Sequence, residues 1–175
     1  DALADRVDAG VYPMTTASVH LQSVAAMAYT FREAGTPAFR ETMERTVSDA
    51  RQLAASLTSR GFGVLTGGTD CHFFIADLRP LGLDARMAAE LLQSVGLTVN
   101  TKGIPYEKGP AQGLRIGTTV CAQRGMGPAE MEILAEVISL VGSLAGANTG
   151  DLFAAGRNKE ILYACRSKIH LLTER

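Results

Sequence analysis

Tryptophan is absent, and aromatic residues make up only 6% of the 175 residues. A chain so poor in flat rings has little on which to stack bases, which argues against a single-stranded nucleic-acid platform. Neither sign of charge prevails: 17 lysines and arginines face 18 acids, a formal net charge of −1. The basic footprint of a nucleic-acid binder is therefore missing, and so is an acidic tail. No run of about 18 apolar residues occurs, so no membrane-spanning helix is expected. The three cysteines, Cys71, Cys121 and Cys165, are isolated and odd in number. They offer neither a disulfide framework nor a Cys-x-x-Cys metal site, and they fit a reducing, cytoplasmic setting. The opening residues Asp1-Ala2-Leu3-Ala4-Asp5-Arg6 carry acid and lack the apolar centre of a signal peptide. A chain that starts on Asp without a leader suggests a fragment, a processed chain or one part of a split protein.

What is present is an apolar-rich chain, 46% hydrophobic, long enough for one domain with a sizeable core or a domain plus an arm. Leu21, Val24, Ala25, Ala28 and Tyr29 recur at helical spacing and predict a helix over residues 20–33. Gly35-Thr36-Pro37 breaks it, with Thr36 suited to cap a second helix over 37–59. Phe39, Met43, Val47, Ala50, Leu53, Ala54 and Leu57 form its apolar stripe, and Gly61 suits the left-handed position after it.

Short strands are expected over 62–65 and 72–78, paired as a hairpin through the turn Thr66-Gly67-Gly68-Thr69-Asp70. Asp84 can cap a helix over 85–94 that Gly96 ends. Further strands are expected over 97–100 and 113–117, and a helix over about 129–144 with Gly142 inside it. A last helix is expected over about 151–172, whose Leu152, Phe153, Ile161, Leu162, Ala164, Cys165 and Ile169 suggest docking on the body of the domain. The class is α/β, a small mixed sheet packed on helices.

Few residues point to chemistry. Arg115 lies on a short strand between Gly113 and Gly117, which let a ligand approach closely. It can grip a carboxylate through two parallel hydrogen bonds or serve a structural ion pair. His72 adjoins Cys71, but strand neighbours point to opposite faces, so the pair does not converge as a nucleophile or metal site. His20 follows Ala17-Ser18-Val19 at a helix start, where free amides attract anions or simply cap the helix. Asn100 and Lys102 can reach a ligand or serve turn chemistry. His170 reads as packing or surface.

Four stretches together resemble the C-terminal portion of serine hydroxymethyltransferase and its relatives, fold-type I enzymes that use pyridoxal phosphate. They are Val11-Tyr12-Pro13 with His20 and Ala25-Ala26; Thr66-Gly67-Gly68-Thr69-Asp70-Cys71-His72 with Asp77-Leu78-Arg79-Pro80; Gly96-Leu97-Thr98-Val99-Asn100 with Ile104-Pro105; and Gly113-Leu114-Arg115-Ile116-Gly117-Thr118 with Arg124-Gly125. The resemblance covers about residues 3–141. It implies that Arg115 binds the α-carboxylate of an amino-acid substrate. It sets Ala17, Ser18 and His20 near the cofactor phosphate, and makes Asn100, Lys102 and Pro105 the wall of a pocket that takes tetrahydrofolate in the family. Residues 1–35 would then link to a cofactor-binding domain, and residues 36–175 would form the C-terminal α/β domain.

The departures are as telling. The lysine that holds the cofactor as a Schiff base precedes this region in the family, and none of Lys102, Lys108, Lys159 and Lys168 has its context. A second chain or a missing segment is therefore expected to supply it, in a homo- or hetero-oligomer, and this chain alone is expected to be inactive. Ala17-Ser18-Val19 stands where the family has Gly-Gly-Pro. Residues 106–112 form a shorter stretch than usual, which leans toward folate-independent relatives such as threonine transaldolases. A non-catalytic domain that binds an amino acid or carries an interface is the alternative of another class.

Overall fold

The computed structural model describes residues 2–106, 108–145 and 156–174. It divides into two units, residues 1–40 and 41–175. The first holds helix α1 (Ala2–Ala9), a widened turn over Gly10–Thr15, and helix α2 (Leu21–Ala34). None of these elements buries a residue. The helical spacing of α2 is thus real, but its apolar stripe is exposed: Leu21, Met27, Tyr29 and Phe31 are each at least half accessible. Thr36 caps the next helix as expected, its Oγ1 accepting from the Phe39 amide at 3.2 Å.

The second unit is built on helix α3 (Pro37–Thr58), whose buried face begins at Thr46 and continues through Ala50, Leu53, Ala54 and Leu57. Strands β1 (Gly63–Val64) and β2 (Phe73–Asp77) form the expected hairpin. Helix α4 (Ala85–Ser94) starts at Asp84, whose Oδ1 accepts from the Met87 amide at 2.7 Å. Then come β3 (Asn100–Lys102), β4 (Gly113–Gly117), the short α5 (Thr119–Gln123), α6 (Pro128–Leu144) and α7 (Gly156–Thr173).

The strands lie in the order β1-β2-β4-β3. The α/β class and the small sheet on helices are as expected; all three pairings are antiparallel, so the sheet is not mixed. Alternation along β2 and β4 divides the two faces. Phe74, Ala76, Leu114 and Ile116 point into a core shared with Leu53 and Leu57 of α3, Leu91 and Leu92 of α4, and Met131, Leu134 and Ile138 of α6. Phe73, Ile75, Arg115 and Gly117 lie on the opposite face. On that face Phe73 and Ile75 are half-buried and Arg115 and Gly117 are exposed.

One strand expectation is revised. The third strand was expected over 97–100 because Leu97 and Val99 alternate with polar residues. Those residues instead lead in from α4, and pairing starts at Asn100, opposite Arg115. Gly142 lies inside α6, as expected, and lets the Phe62 ring lie against the helix, with Phe62 Cζ 3.4 Å from where a Cβ would stand. In α7, Cys165, Ile169 and Leu172 are buried, and Lys168 Nζ donates to Glu136 Oε1 of α6 at 2.6 Å, so this helix docks on its own domain. The expected start of that helix at Asp151, with Leu152 and Phe153, lies outside the described residues.

Candidate functional site

Strand register assembles the site. Arg115 of β4 stands opposite Ile75 on β2 and Asn100 on β3. Phe73 pairs with Gly117, so no side chain crowds the Phe73 ring from β4. The guanidinium carbon of Arg115 lies 6.0 Å from the centre of that ring. A cation over a phenyl face at an exposed site gains about 0.5–1 kcal/mol and restricts where the guanidinium can go. The Phe73 ring is in turn met edge-on by His72, at 5.0 Å between ring centres and 70° between planes.

The Arg115 side chain makes no hydrogen bond or ion pair among the described residues. Its five side-chain donors take no partner there. A cavity of about 320 Å3 lies beside it, lined by His72, Phe73, Asn100, Arg115 and Thr119 among others. A fixed planar cation with free donors, at the edge of a half-enclosed space, is suited to a carboxylate.

The strand ends are locked in place. Thr118 is fully buried; its amide donates to the His72 carbonyl at 3.0 Å and its hydroxyl to the Thr46 carbonyl of α3 at 2.7 Å. Asp77, at the far end of β2, receives Arg79 Nε at 2.9 Å and Arg79 Nη2 at 2.7 Å. The Arg79 guanidinium holds the Asp77 carboxyl below its usual range. Gly113 sits under the Ile104 and Ile75 side chains, where a Cβ would come within 2.9 Å of both. Ile104 is thereby buried over the sheet face and anchors the chain just after β3.

The residues singled out from sequence fall into two groups. Arg115 and Asn100 face each other across β3 and β4 and share one cavity. Lys102 is exposed on β3 opposite Gly113, and Pro105 is exposed in the following turn; neither lines that cavity. Ala17, Ser18 and His20 belong to the first unit and are exposed, and the His20 side chain makes no cap bond with α2. His72, read from sequence only as a strand-edge residue, joins the Arg115 cavity. Cross-strand register brings it there, and no sequence spacing reports that register. Cys71 does not converge with it: its Sγ lies 3.4 Å from the Phe73 carbonyl and 3.5 Å from Thr69 Oγ1. No cluster of three or more metal-ligating side chains occurs among the described residues. No helix among them is long and apolar enough to cross a membrane.

A family model described as serine hydroxymethyltransferase matches residues 1–138 of this chain. The chain belongs to the serine hydroxymethyltransferase family. Serine hydroxymethyltransferase of Nocardia farcinica is 38% identical over 156 residues, which cover 85% of this chain and 36% of that protein. The serine hydroxymethyltransferase of Bifidobacterium longum subsp. infantis is 36% identical over 179 residues, covering 98% of this chain and 38% of that protein. That of Kineococcus radiotolerans is 40% identical over 145 residues, covering 78% and 33%. The chain thus spans little more than a third of the length of these relatives.

Serine hydroxymethyltransferases are transferases that use pyridoxal phosphate. The described residues do not make a complete site for it. Lys102, Lys108 and Lys159 are exposed, Lys168 is held by Glu136, and none of the four lines the Arg115 cavity. No buried lysine is therefore available to form an imine, and the Ala17–His20 segment is exposed.

Proposed function

We propose that this chain is the carboxylate-binding C-terminal part of a pyridoxal-phosphate-dependent transferase. The enzyme makes or breaks the Cα–Cβ bond of a β-hydroxy amino acid of the glycine, serine or threonine type. The observation that carries this reading is the Arg115 guanidinium, unpaired among the described residues, backed by Phe73 and opening on a cavity shared with Asn100. Arg115 binds the α-carboxylate and sets the orientation about Cα, which is worth more to the rate than any proton transfer the described residues offer. The cofactor, when bound, supplies an electron sink for the carbon that loses its substituent. Its lysine comes from another chain or from a segment outside this sequence. The exposed apolar residues of the first unit, among them Tyr12, Met14, Leu21 and Phe31, support an assembly of that kind, because monomers rarely display so much apolar surface.

The test begins with the intact mass of the assembly purified from its native source after borohydride reduction. A co-purifying polypeptide that carries a pyridoxyl-lysine is expected. A lone chain without cofactor would instead favour the binding-only domain. In the reconstituted assembly, Arg115→Lys is expected to raise KM for the amino acid. Truncating one side of a desolvated charge pair costs about 2–5 kcal/mol, which is a loss of about 30-fold or more. An unchanged KM would remove Arg115 from the carboxylate site. Glycine exchange with and without tetrahydrofolate separates the hydroxymethyltransferase from a folate-independent transaldolase, the direction in which the short 106–112 stretch leans.

A further inference from the structure

Helix α7 and the turn after α4 enclose a cavity of about 400 Å3 that shares no residue with the Arg115 cavity. Most of its wall comes from α7, which lies past residue 138, where the family match ends. Gly96 takes a left-handed φ of +94° and brings the turn against this helix; a Cβ on it would stand 3.4 Å from Ile169 Cγ2. The floor is apolar, made by Val95 and Ile169, which are 1% and 5% exposed. Helical spacing sets the rim. Tyr163, Arg166, Ser167 and His170 recur at steps of three and four and stand on one face of α7. The Tyr163 ring is 76% exposed. The Arg166 guanidinium and the Ser167 hydroxyl take no partner among the described residues, so two neighbouring donor groups open on one space. His170 Nε2 lies 3.0 Å from Glu174 Oε1, and Glu174 is not part of the lining. No acid lines the cavity.

We infer that this cavity binds an aromatic carboxylate, at a site separate from the one proposed for the amino acid. A guanidinium with no acid beside it favours an oxyanion, and its planar fork matches a carboxylate through two parallel hydrogen bonds. One guanidinium balances one negative charge, which suits a carboxylate better than a doubly charged phosphate. Arg166 and Ser167 donate to the carboxylate, and the ring lies over Val95 and Ile169 against the face of Tyr163. A dry cavity of about 150 Å3 already takes a benzene-sized guest, so the space is sufficient. Nothing in this inference depends on Arg115.

The probe is benzoate, titrated into the isotopically labelled chain and followed at the amides of Gly96 and Ser167 and at the Arg166 side chain. Acetate lacks the ring and benzamide lacks the charge. Benzoate is expected to bind at least tenfold more tightly than either. Arg166→Gln is expected to bring benzoate down to the benzamide level, and Tyr163→Ala to bring it toward the acetate level. Both residues are exposed and outside the core, so the fold is kept. Arg115→Lys is expected to leave the response unchanged. Benzoate binding no tighter than benzamide or acetate would overturn the inference, as would tighter binding of phenyl phosphate. So would a benzoate response confined to Arg115 and its neighbours, or one at Gly96 and Ser167 that survives Arg166→Gln.

Discussion

Gly113 offers the sharpest test of how the sheet face is built. Replacing it with alanine sets a Cβ 2.9 Å from Ile104 Cδ1, 2.9 Å from Ile75 Cγ2 and 3.2 Å from the Lys102 carbonyl oxygen. Two of these neighbours are methyl ends that can rotate at some cost; the third is backbone of the paired strand and has little freedom. Alanine should gain about 0.5–1 kcal/mol from the reduced freedom of the unfolded chain. Overpacking a tight site costs about 1–3 kcal/mol, so a net loss of about 1–2 kcal/mol is expected. The assay is urea unfolding, with a lowered midpoint at unchanged slope.

The contacts also dictate which second change relieves the loss. Ile104→Val removes the clashing Cδ1, whereas Ile75→Val keeps the clashing Cγ2. Alone, each valine costs about 0.5–1.5 kcal/mol. In the alanine background Ile104→Val should cost much less or even stabilise, a coupling of about 0.5–2 kcal/mol, while Ile75→Val should simply add its own loss. Additive behaviour for both valines, or a Gly113→Ala protein as stable as the parent, would refute the packing argument.

Two further outcomes follow from single residues. Asp49 is buried on α3, and its Oδ2 has no hydrogen-bond partner among the described residues; burial, opposed in part by Arg45 and reinforced by Glu130, raises its pKa. A carboxyl whose folded pKa is raised weakens the fold above that pKa, and the penalty fades as pH falls toward its unfolded value of about 3.9. Asp49→Asn is therefore expected to be the more stable protein at pH 7, with its advantage shrinking toward pH 4; chemical denaturation across that range checks the sign, and a constant difference would contradict it. Gly142→Ala should behave opposite to Gly113→Ala. Its nearest new contacts, Phe62 Cζ at 3.4 Å and Leu83 Cδ1 at 3.5 Å, are ordinary ones, so the helix-propensity gain of about 0.5–1 kcal/mol should appear as a melting temperature higher by roughly 1–4 °C.

How much was legible in the sequence depended on whether the signal was local. Helix α4 was read correctly at both ends because Asp84 caps it and Gly96 follows it, and both are features of the chain itself. Helix α5 was missed, since five residues hold too little periodicity to register. Strand β3 was misplaced because its pairing is set by Arg115 across the sheet, and the apolar alternation of Leu97 and Val99 pointed elsewhere. The site followed the same rule. Arg115 stood out through the glycines on either side of it. Its support by Phe73 and the arrival of His72 depend on a register between β2 and β4 that no stretch of sequence states. The apolar run Phe73-Phe74-Ile75-Ala76 likewise gave no sign of which face would stay open.

The outer strands of the sheet are very short: two residues in β1 and three in β3, the latter ending in Lys102. Such edges give a neighbouring chain almost no ladder on which to add a strand, and a lysine there discourages it further. Uncontrolled strand-to-strand growth into fibres is thus resisted at both margins. Any contact the sheet makes with another protein body is steered onto its open face, where identity is decided by side chains, with Arg115 at the centre, and not by indiscriminate backbone hydrogen bonding.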